Sequence, residues 1–217
     1  MLFALGRPAV FAGLLIGFVL AVLLRAFAIR LAGRSLNLSD RLSPRLRDNV
    51  DPFGAVAAAV GGAGWGKALD VDEVPRTRGR GRAALVFLAG PIVTIVAGQL
   101  VFLAYRLLFP FPVANLSALL RGLFPADAAD GFLLGVAGSL LGFGLLSLLP
   151  IPPLDGFGLL WSAHRRPGPG LQGYRLWFQE KNIGVVVLLA CCFYPLGNPL
   201  LLLPVDLLGT VFLALWG

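Results

Sequence analysis

Few side chains in this sequence could carry catalysis, and their spacing narrows the chemistry further. Asp155 closes the run Leu148-Leu-Pro-Ile-Pro-Pro-Leu-Asp-Gly156, which follows an uncharged stretch beginning at Gly131. Prolines at 150, 152 and 153 prevent regular helix, so the carboxylate is expected on an extended turn, with Gly156 letting the chain bend. Such a carboxylate is either a functional group, costly to bury unpaired, or a helix-end residue facing water. The chain has one histidine, His164, in the basic run Ser162-Ala-His-Arg-Arg166, where it reads as a solvated loop residue. Its only glutamates are Glu73 and Glu180. Cys191 and Cys192 are adjacent and would point about 100° apart on a helix, so they would not converge on one ion. An aspartyl mechanism needs two carboxylates sharing a proton, and Asp206 is the one conceivable mate for Asp155. A serine mechanism needs a base beside its hydroxyl, and the long apolar stretches contain neither His nor Lys. The parts for hydrolysis by these routes are missing.

The elements that must position these residues are set by composition. Of 217 residues, 58% are apolar and only 13% are charged, with a mean hydropathy of +0.85. A soluble domain carries about twice that share of charge, so lipid is the expected solvent. Uncharged stretches run from Pro8 to Leu24, Ala83 to Tyr105, Gly131 to Leu154 and Asn182 to Val205. A helix needs roughly 20 apolar residues to cross a hydrocarbon core. A soluble enzyme and a DNA-binding module are thereby excluded. The net charge of +7 has a topological source, because eleven of the eighteen Lys and Arg lie between Arg25 and Arg82 and four more between Arg165 and Lys181. The loop between Pro110 and Asp130 holds only Arg121 against Asp127 and Asp130. By the positive-inside rule, segments 25–82 and 157–182 belong in the cytoplasm and the N-terminus outside. No nucleic-acid partner is expected.

The chain reads as one membrane domain over residues 1–217, all-α, with four to five transmembrane helices. The first span covers about Pro8 to Leu31 and carries Arg25 and Arg30 near its end, where they must snorkel or find partners. The stretch from Ala55 to Trp65 is too short to cross and is expected to be re-entrant or to lie on the membrane surface. Residues 66–82 end in the basic loop Arg76-Thr-Arg-Gly-Arg-Gly-Arg82. The second span, Ala83 to Tyr105, contains Gly90-Pro91 and should kink there. The third, Gly131 to Leu149, is dense in glycine, which lets helices approach closely in lipid. The last apolar region, broken by Pro195, Gly197, Pro199 and Pro204, is either one span with an interfacial helix or a hairpin.

Several short runs together resemble the site-2 protease family of intramembrane zinc metalloproteases. Pro150, Pro153, Leu154, Asp155 and Gly156 match its Asn-x-x-Pro-x-x-Pro-Leu-Asp-Gly signature, with Ser147 at the asparagine position. Asp51-Pro-Phe-Gly54 resembles an Asp-Pro-x-Gly segment, Gly64-Trp-Gly-Lys67 a Gly-Trp-Ala-Lys segment, and Leu88-Ala-Gly-Pro91 a Leu-Ala-Gly-Pro segment. Thr94 stands where the family often has an asparagine after that last motif. The similarity spans residues 10–160, a protease-like core followed by a cytoplasmic segment and apolar helices over 161–217.

The resemblance implies a zinc held by Asp155 and by two histidines of His-Glu-x-x-His, with the glutamate activating water. Here Arg25 falls on the first histidine, Ala26 on the glutamate and Ile29 on the second histidine. Asp155 is the sole surviving ligand position, and no cofactor is expected. The family position also implies that Arg25 and Asp155 approach each other, a guanidinium and carboxylate replacing the metal as a cross-link. The expected protein is a pseudoprotease of the bacterial cytoplasmic membrane. It would bind another membrane protein's transmembrane segment or serve as a subunit of a complex, in an oligomeric state the sequence does not define. Candidate structural or partner-binding residues are Arg25, Arg30, Ser147, Pro150, Pro153, Gly156, Gly90, Pro91 and Thr94. The alternatives are a metalloprotease completed by another chain, and a structural or small transport subunit sharing only the scaffold. The charge asymmetry makes one direct prediction: cysteines introduced at Arg78 and Arg121 label from opposite sides of the membrane, and equal accessibility from one side would refute it.

Overall fold

A computed structural model describes residues 1–34, 37, 46–74, 79–109, 115–124, 128–193 and 199–216. The helices in chain order are α1 (Pro8–Gly33), α2 (Leu46–Asn49), α3 (Pro52–Gly61), α4 (Arg80–Leu108), α5 (Leu116–Arg121), α6 (Ala128–Ser147), α7 (Asp155–Ala163), α8 (Pro169–Arg175), α9 (Ile183–Cys192) and α10 (Leu202–Leu213). Three of them, α1, α4 and α6, are long and apolar enough to cross a membrane, and α3, α9 and α10 are shorter apolar helices. The chain is an all-helical integral membrane protein. Among the described residues the only sheet-like pairing is an antiparallel bridge between Val50 and Gly66.

The three long helices form the frame, with α6 at its centre. Fully 83% of the apolar window of α6 is buried, against 50% for α1 and 44% for α4, because α1 and α4 both lie along α6. Apolar side chains on the outer faces of α1 and α4, such as Ile16, Leu20 and Phe27, and Val96, Leu100 and Leu103, remain exposed. A helix apolar on every side is expected of a span that faces protein on one side and lipid on the other.

Glycine makes the close approach of these helices possible. A Cβ on Gly17 of α1 would sit 2.7 Å from Ser139 Cβ and 2.9 Å from Val136 Cα on α6. A Cβ on Gly98 of α4 would sit 2.9 Å from Leu141 N, again on α6. With no hydrophobic driving force between helices in lipid, this backbone contact supplies the packing energy. The Ser139 hydroxyl donates to Leu14 O at 2.9 Å and adds a polar link between α1 and α6.

Local sequence explains the shorter elements. Asp51 caps α3, its Oδ1 accepting from Phe53 N at 2.8 Å and Gly54 N at 3.2 Å, with Pro52 in the first turn. Gly62 ends α3 in the left-handed conformation, φ +91°. Pro91 sits inside α4, and the helix runs through it, with the buried Thr94 hydroxyl donating to Gly90 O at 3.1 Å and Pro91 O at 2.9 Å. A second apolar cluster joins Ile29, Val71, Val74, Val86, Phe87, Phe157 and Trp161 where α1, α4 and α7 meet. Arg76, Arg78, Asp127, Pro195 and Gly197, named above from the sequence, fall outside the described residues.

Tight glycine contacts fix a measurable cost. Gly17→Leu is expected to destabilise the detergent-solubilised protein by about 1–3 kcal/mol, because overpacking must displace backbone. Gly170→Ala on α8, with open space around it, should be neutral or slightly stabilising in the same thermal unfolding assay. Equal effects of the two would rule out the tight packing of α1 on α6.

Candidate functional site

Arg25 and Asp155 meet inside the protein. Arg25 Nε donates to Asp155 Oδ2 at 2.6 Å and Nη2 donates to Oδ1 at 2.5 Å. Each residue is only 3% exposed. The arrangement is a forked, bidentate pair, which matches the planar guanidinium to both carboxylate oxygens. Arg25 comes from the second half of α1, and Asp155 is the first residue of α7.

That position corrects the expected extended turn. Leu154 is the extended residue, with ψ 155°, and helix begins at Asp155 itself. The prolines end before the carboxylate, so nothing prevents α7 from starting there, and a carboxylate in a first turn complements the helix dipole. Gly156 is correspondingly not a bend. It is a helical residue pressed onto the end of α6, where a Cβ would collide with Leu148 O.

The short runs singled out in the sequence converge on this pair. A Cβ on Gly90 would stand 2.7 Å from Arg25 Cγ, so the stem of Arg25 lies directly on the α4 backbone. A Cβ on Gly66 would stand 3.3 Å from Arg25 Nη1 and 3.1 Å from Asn49 O. Gly66 is held there by its bridge to Val50, with Lys67 N donating to Asn49 O at 2.8 Å. Gly54 in turn packs against the Trp65 backbone. The roles of Gly66 and Gly90 as the floor and wall of the Arg25 site were not legible in sequence, although both lie in runs already noted.

The remaining candidates sit apart from the pair. Ser147 is buried, but its hydroxyl donates to Phe143 O in its own helix at 2.8 Å. Thr94 bonds back to its own helix as described, and Pro91 O lies against Gly144 of α6. Pro150 is exposed, its carbonyl accepting from Tyr174 Oη at 3.3 Å, and Pro153 is half-buried. Arg30 is half-buried in the last turn of α1. Ala26 and Ile29 are buried and apolar. Asp206 is occupied elsewhere, its Oδ1 accepting from Ser117 N at 2.7 Å. His164 is exposed at the end of α7, its ring Nδ1 3.0 Å from Leu160 O. Outside the spans, Arg175 pairs with Asp72 at 2.5 Å and lies over the Trp161 ring, tying the 70–72 turn to α8; the hydrogen bond it donates to Asp72 raises its pKa above the ordinary arginine value.

These residues do not fit a zinc ion. Both oxygens of Asp155 are engaged by a permanently charged guanidinium, and positions 26 and 29 offer no donor atom. Among the described residues no group of three His, Cys, Asp or Glu side chains could hold a metal.

The chain is similar to a protein of Bacillus subtilis (strain 168) named "Putative zinc metalloprotease YwhC", at 26% identity over 186 residues covering 85% of this chain and 80% of that protein. This likeness is consistent with the resemblance to site-2 proteases. No family model matches the chain, and no solved structure matches it.

The pair dictates a stability signature. Arg25→Ala and Asp155→Ala are each expected to cost about 3–5 kcal/mol, since each strands a buried charge. The double variant should cost clearly less than the sum, by at least about 1 kcal/mol, in a thermal or denaturant double-mutant cycle. Strictly additive losses would show that the two side chains do not interact.

Proposed function

We propose that this chain is a site-2-protease-like membrane protein that does not hydrolyse peptide bonds, and that it holds a transmembrane partner or serves as a subunit of a membrane complex. The observation that carries the reading is the forked Arg25–Asp155 pair, at the positions where the family resemblance implies a histidine and an aspartate on one metal. With Ala26 at the general-base position, no carboxylate there can take a proton from an attacking water. The likeness to a protein named as a metalloprotease supports the scaffold, and the substituted residues argue against the chemistry. In this reading the protein has no resident cofactor and resides in the bacterial cytoplasmic membrane with segments 25–82 and 157–182 inside. The ten-residue α3 is the re-entrant or surface segment, and the apolar region of α9 and α10 supplies the rest of the membrane domain, as one span with an interfacial helix or as a hairpin.

The reading is tested on purified full-length protein in mild detergent. Metal analysis should find far less than one zinc per chain, and incubation with a transmembrane substrate panel should yield no cleavage. About one zinc per chain, lost in Asp155→Ala, together with cleavage would overturn it. Restoring the family residues by Arg25→His, Ala26→Glu and Ile29→His in one variant should raise zinc content toward one per chain, provided the fold is retained by thermal unfolding.

A further inference from the structure

A groove of about 640 Å³ opens between the start of α3 and the start of α9, well separated in sequence from the Arg25–Asp155 pair. Its volume lies within the range of roughly 300–1,000 Å³ usual for small-molecule sites. Two kinds of surface meet in it. One wall is apolar, formed by Phe53 of α3 and by Val186 and Leu189 of α9. Phe53 is 55% exposed and Val186 is 63% exposed, so this wall is uncovered among the described residues. The mouth is charged, with Arg47, Asp48 and Lys67 all lining it and all three exposed. The fourth charge, Asp51, is already engaged by the amides of Phe53 and Gly54.

The position of the groove argues for its occupant. Both α3 and α9 are uncharged throughout and begin at the mouth, so the change from polar to apolar surface follows the change from headgroup to hydrocarbon. Beside the start of α9, Lys181 Nζ lies 3.8 Å from the centroid of the exposed Trp177 ring. Trp with a neighbouring cation is the pairing that anchors proteins at the membrane–water interface. A protein segment would suit the wall alone. The mouth presents two cations and two carboxylates, of which Asp51 caps α3, so charges of both signs face a phosphate and an ammonium on one short headgroup.

We infer that this groove binds an aminophospholipid of the phosphatidylethanolamine type. Lys67 and Arg47 receive the phosphate, Asp48 accepts from the primary ammonium, and an acyl chain runs along Phe53, Val186 and Leu189. A carboxylate offers about four acceptor positions, so Asp48 can take the ammonium while keeping its contacts within the protein. Charge-assisted hydrogen bonds are the strong ones, and the headgroup makes them with both signs. The inference is independent of whether the protein hydrolyses peptides.

Native mass spectrometry of the full chain in mild detergent tests it, with phosphatidylethanolamine, phosphatidylcholine and phosphatidylglycerol added at equal concentration. Phosphatidylethanolamine should be retained at least about tenfold better than phosphatidylcholine, whose quaternary ammonium cannot donate hydrogen bonds, and better than phosphatidylglycerol, which lacks the ammonium. Lys67→Gln should lower that retention about tenfold, and Val186→Trp, which fills the wall, should abolish it; both variants are checked for unchanged thermal unfolding in lipid-free detergent. If Lys67→Gln fails to fold, Asp48→Asn replaces it and should erase the preference over phosphatidylcholine. Equal retention of the three lipids, retention unchanged by Val186→Trp, or a co-purified protein released by Val186→Trp would overturn the assignment.

Discussion

The constraint on which the rest of this structure depends is the cost of burying charge. A guanidinium and a carboxylate, each 3% exposed, are stable there only while they satisfy one another. Their bidentate geometry leaves little freedom, because both Nε and Nη2 must face both oxygens. That requirement locks a point in the second half of α1 to the first residue of α7. Everything between them in the chain, α2 through α6, must close around the junction without displacing it.

Small residues let the closure happen. Gly90 lets α4 lie on the Arg25 stem, Gly66 lets the Val50 bridge cover its terminal nitrogen, and Gly156 lets α7 start against the end of α6. The same economy of side chains operates along α6, where Gly17 and Gly98 bring α1 and α4 onto its backbone. A helix as deeply buried as α6 has little lipid contact to orient it, so its placement comes from these interfaces. The polar junction and the glycine contacts are therefore one design: the contacts set the distance at which the fork can form.

The readable and unreadable parts of this arrangement divide by the range of the physics involved. Long apolar runs report directly on spans, so α1, α4 and α6 are legible, their ends within about three residues of the spans read from sequence. The meeting of Arg25 with Asp155 was legible only through the family resemblance, since no local pattern links residues so far apart in sequence. The start of α7 was misjudged because proline excludes helix only up to its own neighbourhood, and Leu154 was enough to separate Pro153 from the helical Asp155. Gly66 and Gly90 could be seen in their motifs, but a glycine does not announce which side chain will rest on it. Ser147 and Thr94, placed by motif at positions of interest, instead bond to their own helices, as hydroxyls do when no better partner faces them.

The difference between a metal centre and this pair is one of open valence. A catalytic zinc held by three protein ligands keeps a fourth position for water, and that vacancy is what makes the site reactive. The Arg25–Asp155 fork keeps none: each carboxylate oxygen has a guanidinium donor. The fork ties α1 mechanically to α7 and leaves both carboxylate oxygens occupied. Ala26 and Ile29, both buried, make the flank of α1 beside Arg25 apolar. Apolar flanks exclude water, and dry surroundings strengthen the electrostatic pairing they enclose. Residues 25, 26 and 29 are thus mutually consistent: the fork and its apolar flank together make a closed, dry junction.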